Sequence, residues 1–199
     1  MHRILMSTGL ILAATMAPLA AGHAQLTFGG FAGVNSSNVD VSNPDPGMST
    51  SSRIGGMFGG WIGTHLGRLF TVRLEGYWTR KGADQVDSGN TVGSVQLDYI
   101  EVPLILRVKI PLVVVKPAIY AGPAISFKTS CAIEDLDDSA SCDTFKSTDF
   151  SGIVGAGIGL GPITLDVQYD FSFSDILDEP DATTEVKNQT WTVRAAFGI

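Results

Sequence analysis

The sequence predicts an all-β protein, an eight-stranded antiparallel up-and-down transmembrane β-barrel. Three observations lead there. Apolar and polar residues alternate with a period of two through most of the chain after residue 25. The segments between alternating runs switch regularly between short turns and long polar loops. The 23 glycines sit among Val, Ile, Thr, Phe and Tyr, a mixture that suits strands and turns rather than helices.

Taken in order, Leu26 to Val34 is the first strand and Arg53 to Thr64 the second, where Gly55, Gly56, Gly59 and Gly60 blur the parity of Trp61. The third sets Phe70, Val72, Leu74 and Trp78 against Thr71, Arg73, Glu75 and Tyr77. The fourth sets Ile100, Val102, Leu104, Leu106 and Val108 against Tyr99, Glu101, Pro103 and Arg107. Val113 to Phe127 and Phe150 to Leu160 are the fifth and sixth. In the seventh, Ile163, Leu165, Val167, Tyr169, Phe171 and Phe173 oppose Thr164, Asp166, Gln168, Asp170 and Ser172. The eighth sets Trp191, Val193, Ala195, Phe197 and Ile199 against Thr190, Thr192, Arg194 and Ala196. Most of these runs reach the ~9–11 residues that a tilted strand needs to cross a bilayer. Short turns are expected at Leu66-Gly67-Arg68, Ile110-Pro111-Leu112 and Gly161-Pro162. Long loops are expected at Asn35 to Ser52, Lys81 to Gly93, Lys128 to Asp149 and Asp175 to Glu185. Both termini then lie at the short-turn, periplasmic rim. Pro103 lacks an N–H for the ladder and predicts a bulge or kink in the fourth strand.

Residues 1–24 differ from the rest. Arg3 opens a positive segment, Ile4 to Ala17 is apolar, and Gly22-His23-Ala24 offers small residues for cleavage. This is the layout of a secretory signal peptide, which leaves 25–199 as the barrel domain. Removal of His2 and His23 makes His65 the only mature histidine. The whole chain carries a net charge of -7, so no basic footprint for nucleic acid is present. Cys131 and Cys142, in one acidic stretch of an exported protein, read as a disulfide closing a loop. With no histidine near them, they are a poor zinc set.

Alternation alone does not say which face points inward. A membrane barrel turns its apolar face out, whereas a lipocalin-like periplasmic barrel turns it in around an apolar ligand. Gly59-Gly60-Trp61 matches the short Gly-x-Trp pattern of the latter. The polar face decides for the former. It holds Gly55, Gly155, Gly157 and Gly159 together with charges of both signs: Arg73, Glu75, Glu101, Arg107, Lys116, Asp166, Asp170 and Arg194. Small residues and pairable charges suit a crowded lumen, because unpaired buried charge is costly. The lumen ion-pair network is therefore assigned to Arg73, Glu75, Glu101, Arg107, Asp166, Asp170 and Arg194. On the opposite face Phe70, Trp78, Phe127, Phe150, Phe171, Phe173, Trp191 and Phe197 suit two aromatic girdles.

The stretch Tyr99-Ile100-Glu101-Val102-Pro103-Leu104-Ile105-Leu106-Arg107 resembles the Tyr-x-Glu-x-Pro-Leu-Leu-Leu-Lys/Arg motif of PorT-like outer-membrane β-barrel proteins. Pro117-Ala118-Ile119-Tyr120-Ala121-Gly122-Pro123 is similar to the strand that follows in that family. The Gly-rich first strand and the aromatic Phe197 near the C-terminus fit as well, although Gly198 and Ile199 follow where a terminal aromatic is usual. The resemblance implies location in the outer membrane of a diderm bacterium, and for most members no defined activity.

Chemistry is tested residue by residue. Lipid-directed hydrolases and acyl transferases usually set a histidine beside a serine and a carboxylate. His65 falls next to a short turn, at the rim opposite the lipopolysaccharide leaflet. Asp166 and Asp170 near Arg194 suit ion pairs better than catalysis. Catalytic residues, metal ligands and cofactors are therefore expected to be none, with a lipid-directed outer membrane enzyme as the alternative. The loops are acidic: Glu134, Asp135, Asp137, Asp138 and Asp143 crowd one, and Asp175, Asp178, Glu179, Asp181 and Glu185 another. The expected partners are outer membrane lipid and lipopolysaccharide, with divalent cations at these carboxylates. The barrel is expected to be a monomer with a structural or surface-interaction role. An eight-stranded lumen is largely filled by side chains, which argues against a wide diffusion channel.

Overall fold

The computed structural model describes residues 25–41, 48–87, 90–110, 112, 114–135, 142, 146–173 and 186–199. Its eight strands are β1 (Leu26–Val41), β2 (Met48–Leu66), β3 (Phe70–Asp87), β4 (Asn90–Lys109), β5 (Lys116–Asp135), β6 (Thr148–Leu160), β7 (Ile163–Ser172) and β8 (Val186–Gly198). Each pairs antiparallel with its neighbours in chain order, and β8 returns to β1 from Gly29↔Gly198 to Val41↔Val186. Closure leaves no sheet edge, so every spanning strand has partners for its backbone N–H and C=O groups on both sides. The signal segment assigned to residues 1–24 lies outside the described residues.

The faces follow the alternation. On β7, Leu165 and Val167 are 53% and 47% exposed, while Asp166 and Gln168 between them are 1% and 2% exposed. On β8, Val193 and Phe197 point out, whereas Thr192, Arg194 and Ala196 are buried. Ile62, Leu74, Leu104, Ile119 and Ile158 extend the same exposed band around the barrel. A contiguous apolar surface of this extent suits lipid rather than water. Phe28, Phe70 and Phe197 edge the band at the short-turn end; Phe127, Phe150, Phe173 and Trp191 edge it at the other. The lipocalin-like orientation, with these side chains inside, does not occur.

Two of the short turns need glycine. Gly67 and Gly161 have φ of 74° and 62°, a region that side chains with a Cβ rarely enter. Between β4 and β5 the connection is longer than expected, since β5 begins at Lys116 rather than Val113.

At the opposite end the strands outrun the sequence-based boundaries. The loop expected at Lys81 to Gly93 is mostly ladder, with Asp84↔Ser94 and Asp87↔Asn90 still paired. Likewise β1 continues to Val41 and β5 to Asp135. Outside lipid, a strand needs no apolar face to keep its ladder, so alternation fades there while pairing persists. From Trp78 to Asp87 the β3–β4 hairpin rises roughly 20 Å beyond the apolar band. Arg80 marks the start of this zone. It lies 5.3 Å from the Trp78 ring and donates to Asp98 at 2.8 Å, a bond that raises the Arg80 pKa further above its ordinary value.

The bulge expected at Pro103 is elsewhere. The β3–β4 ladder keeps one register on both sides of it, from Leu74↔Leu104 to Tyr77↔Glu101. The register shift between β4 and β5 is instead at Asp98/Tyr99, above the band. Pro103 is buried with its ring on the lumen side, and the missing N–H removes a ladder bond without displacing the strand.

Leu165 lies in the middle of the β7 apolar run, facing out. Leu165→Arg is expected to destabilise the folded barrel by about 2–4 kcal/mol. Urea unfolding in lipid vesicles measures this, and Thr190→Ser on the lumen side of β8 serves as the mild control.

Candidate functional site

The chemistry-bearing side chains of the described residues converge in the lumen. Arg73, Glu75, Tyr77, Thr79 and Lys81 project inward from β3, and Tyr99, Glu101 and Arg107 from β4. β7 adds Asp166, Gln168 and Asp170, and β8 adds Thr190, Thr192 and Arg194. All of these are buried. Cross-strand pairing of Asp166 with Arg194 brings opposite charges to one level.

At mid-height Arg194 forms a two-pronged pair with Glu75, donating at 2.7 and 3.3 Å. Arg107 grips Asp166 in the same way at 2.6 and 3.2 Å. The two pairs are joined, because Arg194 Nε lies 3.4 Å from Asp166. Flat guanidinium groups also cover aromatic faces here: Arg194 over Phe31 at 4.5 Å and Arg107 over Tyr120 at 4.9 Å. Glycine makes the room, for a Cβ at Gly157 would overlap Asp166 and Arg107, and one at Gly155 would overlap Tyr120.

A second cluster sits one level toward the outside. Lys81 Nζ lies 2.5 Å from Glu101 and 2.6 Å from Asp170, so one ammonium bridges two carboxylates. Gln168 donates to Tyr77 at 3.4 Å beside it. Higher still, Asn35 donates to Thr79 at 2.8 Å and Ser172 to Asp149 at 2.6 Å.

Of the seven residues assigned to the lumen network, the structure joins Glu75, Glu101, Arg107, Asp166, Asp170 and Arg194 in ion pairs. Arg73 is different. It is buried, stacks over Trp61 at 4.4 Å, and forms no ion pair among the described residues. Trp61 itself points inward and packs against Phe31, which settles its parity. Lys81 was missed, because it falls in a stretch read as loop. Its signal was the unbroken parity from Thr71 through Arg73, Glu75, Tyr77 and Thr79. Cys131 and Cys142 form a disulfide near the outer end of β5, with a Cα–Cα distance of 5.9 Å. The carboxylates of the two acidic loops lie outside the residues whose side chains are described. His65 is at the short-turn rim, with Nδ1 2.9 Å from Thr71 Oγ1. Among the described residues no group of three His, Cys, Asp or Glu side chains is arranged to hold a metal ion.

Breaking one partner of a buried pair strands the other charge, whereas replacing both by apolar groups often costs little. Glu75→Ala is therefore expected to destabilise the barrel by about 3 kcal/mol. Glu75→Leu/Arg194→Leu together are expected to cost less than Glu75→Leu alone, as read by urea unfolding midpoints.

A family model for the outer membrane protein beta-barrel domain matches residues 19–178. Against curated protein sequences no significant match is found. Among solved structures, the chain is similar to surface protein A (NspA) of Neisseria, at 16% identity and a TM-score of 0.52, covering 85% of this chain and 96% of that one. It is also similar to OprG of Pseudomonas aeruginosa, at 14% identity and a TM-score of 0.48 over 87% of this chain and 95% of that one. With Ail of Yersinia pestis the identity is 16% and the TM-score 0.46, over 88% of this chain and 99% of that one. At these identities the likeness to NspA concerns the fold alone, a small barrel of the outer membrane. The family match, covering well over half the chain, carries the location too: this is an outer membrane protein, and it belongs to the outer membrane protein beta-barrel domain family.

Proposed function

We propose that this barrel is a non-catalytic, monomeric anchor that spans the outer membrane and presents acidic loops to lipopolysaccharide and the divalent cations around it. The observation that carries the reading is the filled lumen. Apart from Arg73, the charges of its network pair with one another, in Arg194–Glu75, Arg107–Asp166 and Lys81 with Glu101 and Asp170. That arrangement stabilises a rigid cylinder and offers little passage, so the outer end is the surface left for interaction. The β3–β4 and β4–β5 ladders, carried beyond the apolar band, support it. The acidic loop closed by Cys131 and Cys142 supplies carboxylates, the ligands that hard divalent cations prefer. Within the family, the Tyr99 to Arg107 stretch supports a PorT-like membership.

His65 weighs against a lipid-directed enzyme, because it is held by Thr71 at the rim facing the other leaflet. The purified barrel is expected to release no labelled acyl chain from lipopolysaccharide or phospholipid. It is expected to associate with lipopolysaccharide in the presence of calcium, and to lose that association with a chelator. Changing Glu134, Asp135, Asp137 and Asp138 to their amides should weaken the calcium dependence several-fold. Turnover, or association indifferent to calcium and to these amides, would reject the reading.

A further inference from the structure

The lumen network closes on its own carboxylates, but the periplasmic end of the barrel does not. Four strands present bases on the lumen-facing parity there: His65 on β2, Arg73 on β3, Lys109 on β4 and Lys116 on β5. The segments forming that end, 25–30, 62–74, 105–120, 156–165 and 195–199, contain no Asp or Glu. The net charge of the whole chain is -7, so this basic rim runs against its average.

The strand ends that carry these groups are paired in register, with His65 opposite Thr71, Thr71 opposite Arg107 and Lys109 opposite Ala118. The Lys109 N–H bonds to the Leu69 carbonyl at 2.7 Å, which ties the end of β4 to the β2–β3 turn. Lys109 stands within electrostatic reach of Arg73, Arg107 and Lys116, and His65 within reach of Lys109 and Arg73. Arg73 is only 6% exposed, and its Nε has no hydrogen-bond partner. The carboxylates that attract it, Glu75 and Asp166, are already engaged by Arg194 and Arg107. Like charges gathered in a partly buried mouth repel each other unless an anion joins them. A guanidinium fork beside two ammonium groups matches the several acceptor oxygens of a phosphate.

We propose that the periplasmic mouth of the barrel binds a phosphate-type oxyanion between Arg73, Lys109 and Lys116, with His65 at its edge. The anion comes from one of two sources, a soluble phosphate of the periplasm or the headgroup of an inner-leaflet phospholipid. The site is at the end opposite the acidic loops and does not depend on their role.

Trp61 reports on it, because the Arg73 guanidinium lies 4.4 Å from its ring. In a Trp78→Phe/Trp191→Phe background, Trp61 is the only indole left. This barrel, purified from outer membranes in a phosphate-free maltoside detergent, is titrated with inorganic phosphate, chloride keeping the ionic strength constant. A saturable change in Trp61 emission is expected. Lys109→Gln/Lys116→Gln, at the rim and outside every ion pair described, should weaken the apparent affinity about tenfold while the fold is retained. Arg73→Gln, with folding checked by heat-dependent gel mobility, should abolish the response. A phosphate response no larger than that of chloride, or one unchanged in Lys109→Gln/Lys116→Gln, overturns the proposal. Repeating the titration in phosphatidylglycerol nanodiscs separates the sources. An unchanged titration points to the free anion, and a response lost only in those discs points to the headgroup.

Discussion

A charge that faces the inside of an eight-stranded barrel has little water to fall back on, and the rest of this molecule is arranged around that constraint. The interior is narrow enough that Arg194, Arg107 and Lys81 reach carboxylates on strands across the lumen. An isolated ion there would carry a desolvation cost of several kcal/mol. Arg194 meets it through Glu75 and Asp166, Arg107 through Asp166, and Lys81 through Glu101 and Asp170. These contacts tie β3 and β4 to β7 and β8 across the barrel, in addition to the ladders around it. Such cross-links oppose slippage of register, which would throw each charge onto the lipid face.

Space is the companion constraint. Arg107, Tyr77, Tyr120 and Trp61 fit inside only because Gly157, Gly59, Gly155 and Gly29 opposite them have no side chain. The glycine content and the inward charges are thus two sides of one packing solution. With the middle filled, the two ends are the polar surfaces left accessible, and they differ in sign. Long ladders lead to the acidic stretches at one end; short turns and the bases His65, Lys109 and Lys116 are at the other.

Much of this was legible in the residues. Parity alone separated Asp166, Gln168 and Asp170 from Leu165, Val167 and Phe171, and with the glycines it determined which face is inward. The strand count and two of the three short turns, at Gly67 and Gly161, followed from the same pattern. Limits appeared where lipid stops acting on the sequence. Beyond Trp78 the outer face no longer has to be apolar, so ladder and loop look alike, and Lys81 was lost to a supposed loop. Trp61 was ambiguous because its glycine neighbours carry no parity. Which charge pairs with which was beyond reach as well. The Arg194–Glu75 pair crosses the lumen between strands that are not neighbours in the sheet, and periodicity along one strand holds no such information.

The central claim is that the apolar face meets lipid and the charges lie inside a closed cylinder. Gel mobility of the outer-membrane fraction in SDS, boiled against unboiled, addresses it most directly. A closed membrane barrel resists SDS until heated, so the account predicts a heat-dependent shift in that fraction. A soluble periplasmic protein with one mobility under both conditions would contradict it, and would turn the apolar face back toward the lumen.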